Sequence, residues 1–144
     1  MTAVTHTMVT IVGITALQLQ GGDMALAFLF GVAIDLDHVI KIPLFRKLTK
    51  WWKFKHLNWR TPLQEPISLL WIIPLSIWLS TWVPIIFFLL HLALDYITGY
   101  SKKPFFPFSN YSTRGLFANW SDTWKEIGIF VISALITLWL IFSF

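Results

Sequence analysis

His91 and Asp95 stand four residues apart inside a long apolar run, with Thr98 three residues further on. On a helix all three share one face. Asp35 and His38, three residues apart near the end of another apolar run, are likewise helical neighbours, and Gly31 lies one turn before Asp35. A glycine there lets another helix approach closely. His6 opens the first apolar stretch, and His56, Arg60 and Glu65 lie between the second and third. Imidazole with carboxylate is the ligand set of zinc or manganese sites. The same groups serve two other purposes. The carboxylates can pair with Arg46, Arg60 or the lysines, leaving the histidines as ordinary interfacial polar groups, or the cluster can form a proton pathway. With no cysteine in the chain, thiolate metal sites, cysteine nucleophiles and redox pairs are excluded.

The elements that must position these residues follow from composition. Of 144 residues, 56% are hydrophobic and only 12% charged, against about 25% charged in a soluble domain. The unbroken apolar runs leave too little polar sequence to make a water-facing surface. A secreted disulfide scaffold, a disordered tail and an ordinary cytosolic enzyme are excluded on that ground. The expectation is an all-α integral membrane protein, residues 1–144 forming a single membrane-embedded helical domain. Apolar stretches run from Thr5 to Leu19, Met24 to Ile40, Ile67 to Gly99 and Ile127 to Phe142. The third is too long for one crossing, since a span needs about 20 residues. Pro84 and the Ser80-Thr81-Trp82-Val83 stretch before it predict a hairpin there. Ser121-Asp122 caps the last run, with Glu126 in its first turn. The reading is therefore about five helices in a bundle. The first would be only ~24 Å long at 1.5 Å per residue, short of the ~30 Å hydrocarbon core.

The basic residues orient the bundle. Lys41, Arg46, Lys47, Lys50, Lys53, Lys55 and Arg60 lie between Asp37 and Glu65 with no acid among them, and Lys102, Lys103 and Arg114 follow the fourth helix. The positive-inside rule puts both segments in the cytoplasm, with the N-terminus inside and the C-terminus outside a cytoplasmic (inner) membrane. No Lys or Arg precedes the first apolar stretch and no clear cleavage site follows it, so it does not read as a signal peptide. Phe45, Leu48, Trp51, Trp52 and Phe54 interleave with the cations of 41–60. Such a basic and aromatic segment after the second helix lies on the headgroup surface in contact with anionic lipid. Membrane lipid is the expected partner, and nucleic acid is not expected.

Under this topology all four histidines, with Asp35, Asp37, Glu65 and Asp95, fall at cytoplasmic helix ends. Neither the hydropathy nor the Lys/Arg bias used those residues, so their convergence at one depth is partly independent of both. Asp37 points away from Asp35 on an ideal helix and joins the group only if the helix has ended by then. Acids at a helix C-terminus are unfavourable by a few tenths to ~1 kcal/mol even when exposed. Burial raises that cost, so a divalent metal or a cationic side chain must compensate.

Three segments resemble successive signatures of one family. They are Met1-Thr2-Ala3-Val4-Thr5-His6, then Gly31-Val32-Ala33-Ile34-Asp35-Leu36-Asp37-His38, then His91-Leu92-Ala93-Leu94-Asp95-Tyr96-Ile97-Thr98. They look like the N-terminal Thr-His, the Pro-Asp-x-Asp-His and the His-x-x-x-Asp-x-x-Thr of the YdjM-like family of LexA-regulated, membrane-bound metal-dependent hydrolases. Pro107-Phe108-Ser109 echoes a Pro-Phe-Ser-like segment that follows, so the resemblance covers roughly residues 1 to 110. This chain departs from the pattern at Ile34, where the family has proline. It departs again in the central segment, where Gln64 or Thr61 stands in place of a family histidine, with His56 and Glu65 as candidate substitutes.

The resemblance implies a metal-dependent hydrolase holding zinc, or alternatively manganese, through His6, Asp35, His38, His91 and Asp95, with His56 as an additional candidate ligand. Asp37 would be a ligand or the partner of one, and Asp37 or Glu65 would accept a proton. Arg60, a planar donor fork, suits an anionic phosphate. A more distant likeness to zinc-dependent phospholipase C and single-strand nucleases implies phosphoester hydrolysis, here on a lipid headgroup at the cytoplasmic face. The alternatives are a non-catalytic membrane protein with an ion-paired His/Asp cluster and a small proton or ion conductor.

Overall fold

Among the residues that the computed structural model describes, 3–36, 62–99, 104–105, 108–109 and 111–143, the chain forms five α-helices joined by turns. No β-strand occurs among those residues. Asp37, His38, His56, Arg60 and the basic segment 41–60 lie outside the described residues. Helix α1 spans Ala3–Ala16 and α2 spans Gly21–Gly31. Two short 3₁₀ turns, Pro62–Gln64 and Pro66–Ser68, lead into α3, Leu69–Trp78. Helix α4 is Val83–Thr98 and α5 is Asp122–Ser143.

The two local signals for element ends hold. The chain turns between α3 and α4, with Ser80 at φ 53° and Pro84 in the first turn of α4. Proline is tolerated there because its missing N–H would be unpaired anyway. The Ser121 hydroxyl accepts the Trp124 N–H at 3.3 Å, capping α5.

The second helix departs from expectation. Instead of running to Ile40, the α-helix ends at Gly31, and the chain tightens into a 3₁₀ turn over Ala33–Leu36. A continuing α-helix would give the Gly31 carbonyl the Asp35 N–H. Here Asp35 N–H bonds to the Val32 carbonyl at 3.1 Å, and the Gly31 carbonyl accepts a hydrogen bond from His91 instead. A tertiary contact thus meets the last carbonyl of α2, where the backbone leaves helical values at Val32 (φ −130°).

Packing brings α1 against α5 and α2, α2 against α4, and α3 against α4. Ala27, Phe30, Ile72, Val83, Phe87, Phe88 and Leu92 form the apolar core. Glycine permits two close approaches. A Cβ on Gly31 would sit 2.3 Å from Thr10 Oγ1, and one on Gly13 would sit 2.9 Å from the Phe87 ring. The close approach expected at Gly31 is therefore made, and α1 is the partner.

Two ends of the bundle differ. At one, Thr81 Oγ1 donates to Asp23 Oδ1 at 3.1 Å, joining the α3–α4 connection to the first turn of α2. At the other, Lys125 Nζ donates to the Thr98 carbonyl at 3.1 Å and to Asp122 Oδ1 at 2.8 Å, tying the start of α5 to the end of α4.

Among the described residues, buried polar side chains outnumber buried apolar ones. Large apolar side chains, including Leu70, Trp78, Trp82, Leu116, Trp124, Trp139 and Phe142, stand on the surface. Helix α5 is 22 residues long, about 33 Å, and buries only Lys125, Ser133 and Leu140. It is long and apolar enough to cross a membrane; the other four α-helices, at 10 to 16 residues, are shorter than that. The helix expected over Met24 to Ile40 is shortened at Gly31, and α3 is preceded by the Pro62 and Pro66 turns.

Candidate metal centre

Four elements deliver the polar cluster. His6 lies in the first turns of α1, Asp35 in the 3₁₀ turn after α2, and His91 and Asp95 one turn apart in α4; Gln64 closes the first turn before α3. His6 and His91 are each only 1% exposed. Their rings stack with centroids 4.1 Å apart and planes 17° from parallel. His6 Nε2 lies 3.4 Å from Asp95 Oδ1 and 3.7 Å from Asp35 Oδ2. His91 Nε2 lies 3.4 Å from the other Asp35 oxygen, Oδ1.

The tautomer of His91 follows from its partner. Its Nδ1 is 3.0 Å from the Gly31 carbonyl, which only accepts, so Nδ1 carries the hydrogen. In the neutral ring Nε2 then holds a lone pair. That atom is buried and makes no hydrogen bond among the described residues, as is also true of His6 Nδ1. A lone pair facing a carboxylate oxygen in a buried site is unfavourable unless positive charge joins them.

Two sources of that charge fit the distances: a proton on the imidazole and a metal ion. An N–H···O bond runs about 2.7–3.2 Å. Two ligands held about 2.0–2.1 Å from one tetrahedral ion stand roughly 3.3–3.4 Å apart. Separations of 3.4 Å are long for a hydrogen bond, within ion-pair range for a protonated imidazole, and equal to the spacing of neighbouring ligands on one ion. One ligand atom each from His6, Asp35 and His91 lies within 4.8 Å of the others, so this group could hold a metal ion.

A supporting layer was only partly legible in the sequence. Gln64, noticed there as a departure from a family histidine, is fully buried and donates through Nε2 to Asp35 Oδ1 at 2.9 Å. Glu65 is buried and accepts from the Tyr96 hydroxyl. Tyr96 carries no spacing signal, being next to Asp95 and so on a different part of the helix surface. Thr98, on the face of His91 and Asp95, donates its hydroxyl to its own helix, at the Leu94 carbonyl 2.7 Å away. Of the predicted site residues, His6, Asp35, His91 and Asp95 thus converge, with Glu65 in the adjoining layer. His38, Asp37, His56 and Arg60 lie outside the described residues. Comparison of the chain with protein-family models, curated proteins and solved structures finds no match.

Proposed function

We propose that this chain is a membrane-embedded metal-dependent hydrolase, with zinc or manganese at the His6, Asp35, His91 and Asp95 cluster and a phosphoester, such as a lipid headgroup, as substrate. The observation that carries the reading is the convergence of two buried imidazoles and two carboxylates at ligand-to-ligand separations. The apolar surface supports the membrane setting, because soluble monomers rarely expose contiguous apolar patches beyond a few hundred Å². The resemblance of the His6, Asp35–His38 and His91–Thr98 segments to membrane-bound hydrolases supports the reaction class.

A divalent ion held by His6, Asp35, His91 and Asp95 would supply Lewis-acid polarisation of a phosphoryl oxygen and a bound water of pKa lowered toward about 7. The remaining work falls to side chains. His91 is oriented by the Gly31 carbonyl and Asp35 by the Gln64 amide. Glu65, held by the Tyr96 hydroxyl, is an acceptor for the proton released when water attacks. Asp37 is the alternative acceptor in this reading, and Arg60 binds the phosphate. The active face is the cytoplasmic one, where the 41–60 cations contact anionic lipid.

The test is hydrolysis of a generic phosphodiester and of phospholipid vesicles by purified full-length protein. Turnover should disappear with chelator, return with Zn²⁺ or Mn²⁺, and be absent in Asp35→Ala. Turnover indifferent to chelator would count against the reading. One observation favours a second reading, since stacked imidazoles flanked by two carboxylates are also a place to share a proton. Proton flux in liposomes that vanishes on Asp95→Asn would select a conductor; sealed liposomes would remove it.

A further inference from the structure

The two histidines do not aim at one point. An imidazole binds a metal along the lone pair in its own ring plane. Two rings stacked 4.1 Å apart and nearly parallel hold their in-plane lone pairs in two separate, nearly parallel planes. A single ion shared by both nitrogens would sit well out of the plane of each ring. Asp35 shows the same division, with Oδ2 facing His6 and Oδ1 facing His91. The remaining neighbours divide likewise: Asp95 Oδ1 lies by His6, and the Gln64 carboxamide lies by Asp35 Oδ1.

From this we infer that the centre is dinuclear, with Asp35 bridging one ion held by His6 and Asp95 and a second held by His91 beside Gln64. The inference rests on the metal reading above and deepens it. Two-metal phosphoesterase sites hold their ions about 3.5–4 Å apart, and imidazoles with centroids 4.1 Å apart are spaced to serve one ion each. A 1,3-bridging carboxylate spans that separation with one oxygen on each ion, which is how the two Asp35 oxygens are disposed. Gln64 donates to Asp35 Oδ1 through Nε2. That bond orients the bridging carboxylate from beside the second ion. A pair of ions also suits the expected substrate class, because it stabilises both the attacking and the leaving oxygen in phosphoryl displacement.

The experiment is Mn²⁺ loading of metal-stripped, full-length protein in detergent, read by elemental analysis and by low-temperature electron paramagnetic resonance. Two ions per chain with an exchange-coupled spectrum are expected. His91→Ala and His6→Ala should each retain one ion and lose the coupling. One ion per chain in the wild type, with an uncoupled spectrum and complete loss in either variant, would overturn the dinuclear assignment while leaving the metal reading intact. No bound Mn²⁺, with none of Zn²⁺ either, would overturn both. The wild-type stoichiometry and spectrum decide the matter even if a variant fails to fold.

Discussion

The Gly31 carbonyl accepts a hydrogen bond from His91 Nδ1 at 3.0 Å, across 60 residues of sequence. That bond sits where α2 ends, fixes the imidazole tautomer and leaves Nε2 facing Asp35, so one contact joins a helix end to the site geometry. Outer hydrogen bonds of this kind orient a ligand and set its basicity.

Gly31 is therefore placed where no side chain fits. A Gly31→Ala methyl would lie 2.3 Å from Thr10 Oγ1 and must push α1 and α2 apart. Overpacking of this sort costs about 1–3 kcal/mol. Thermal unfolding in detergent should show that loss together with weaker metal binding. Thr10→Ala combined with Gly31→Ala should restore most of both, since the two positions are in contact and couple.

Gln64→Leu removes the amide donor from Asp35 Oδ1. Loss of such a partner weakens metal affinity by about 10–100-fold. Competition against a fluorescent chelator measures this, and unchanged helicity by circular dichroism would separate the effect from misfolding. Affinity equal to wild type would show that Asp35 needs no support.

Metal should stabilise the folded chain. An ion that binds only the native state contributes about 2.7 kcal/mol at one hundred times its Kd. Zn²⁺ should raise the unfolding temperature of the wild type and leave that of Asp35→Ala unchanged. Identical shifts in both would point to adventitious binding.

Helix α5 tests the membrane setting. Ile132, 59% exposed near the helix midpoint, faces lipid in this account. A lysine at a membrane-helix centre costs about 2.5–3.5 kcal/mol in insertion. Ile132→Lys should release protein from membranes on alkaline carbonate washing, while Ile132→Leu should not. Release of the wild type under the same wash would contradict membrane embedding.

What the sequence revealed and what it hid divide along one physical line. The Ser80–Pro84 turn and the Ser121 cap are local chemistry and were legible from neighbouring residues. His91 and Asp95 were legible as a pair because one helical turn separates them. The end of α2 was not, because hydropathy continues through Ile34 and Leu36 and the residue that meets its last carbonyl, His91, is remote in sequence. The convergence of His6 with Asp35, His91 and Asp95 was expected from depth alone; its contacts come from packing around Thr10, Gly13 and Gly31. Gln64 drew notice only as a departure, and its place as the Asp35 donor, 29 residues away, depends on how the turns before α3 fold back.

The central claim is that His6, Asp35, His91 and Asp95 form a metal centre, and metal content tests it most directly. Full-length wild type and the Asp35→Ala/His91→Ala double variant would be purified in parallel, exposed to Zn²⁺ or Mn²⁺, desalted and analysed for bound metal. The account predicts stoichiometric metal in the wild type and none above background in the variant. No metal in the wild type, or equal metal in both proteins, would contradict it.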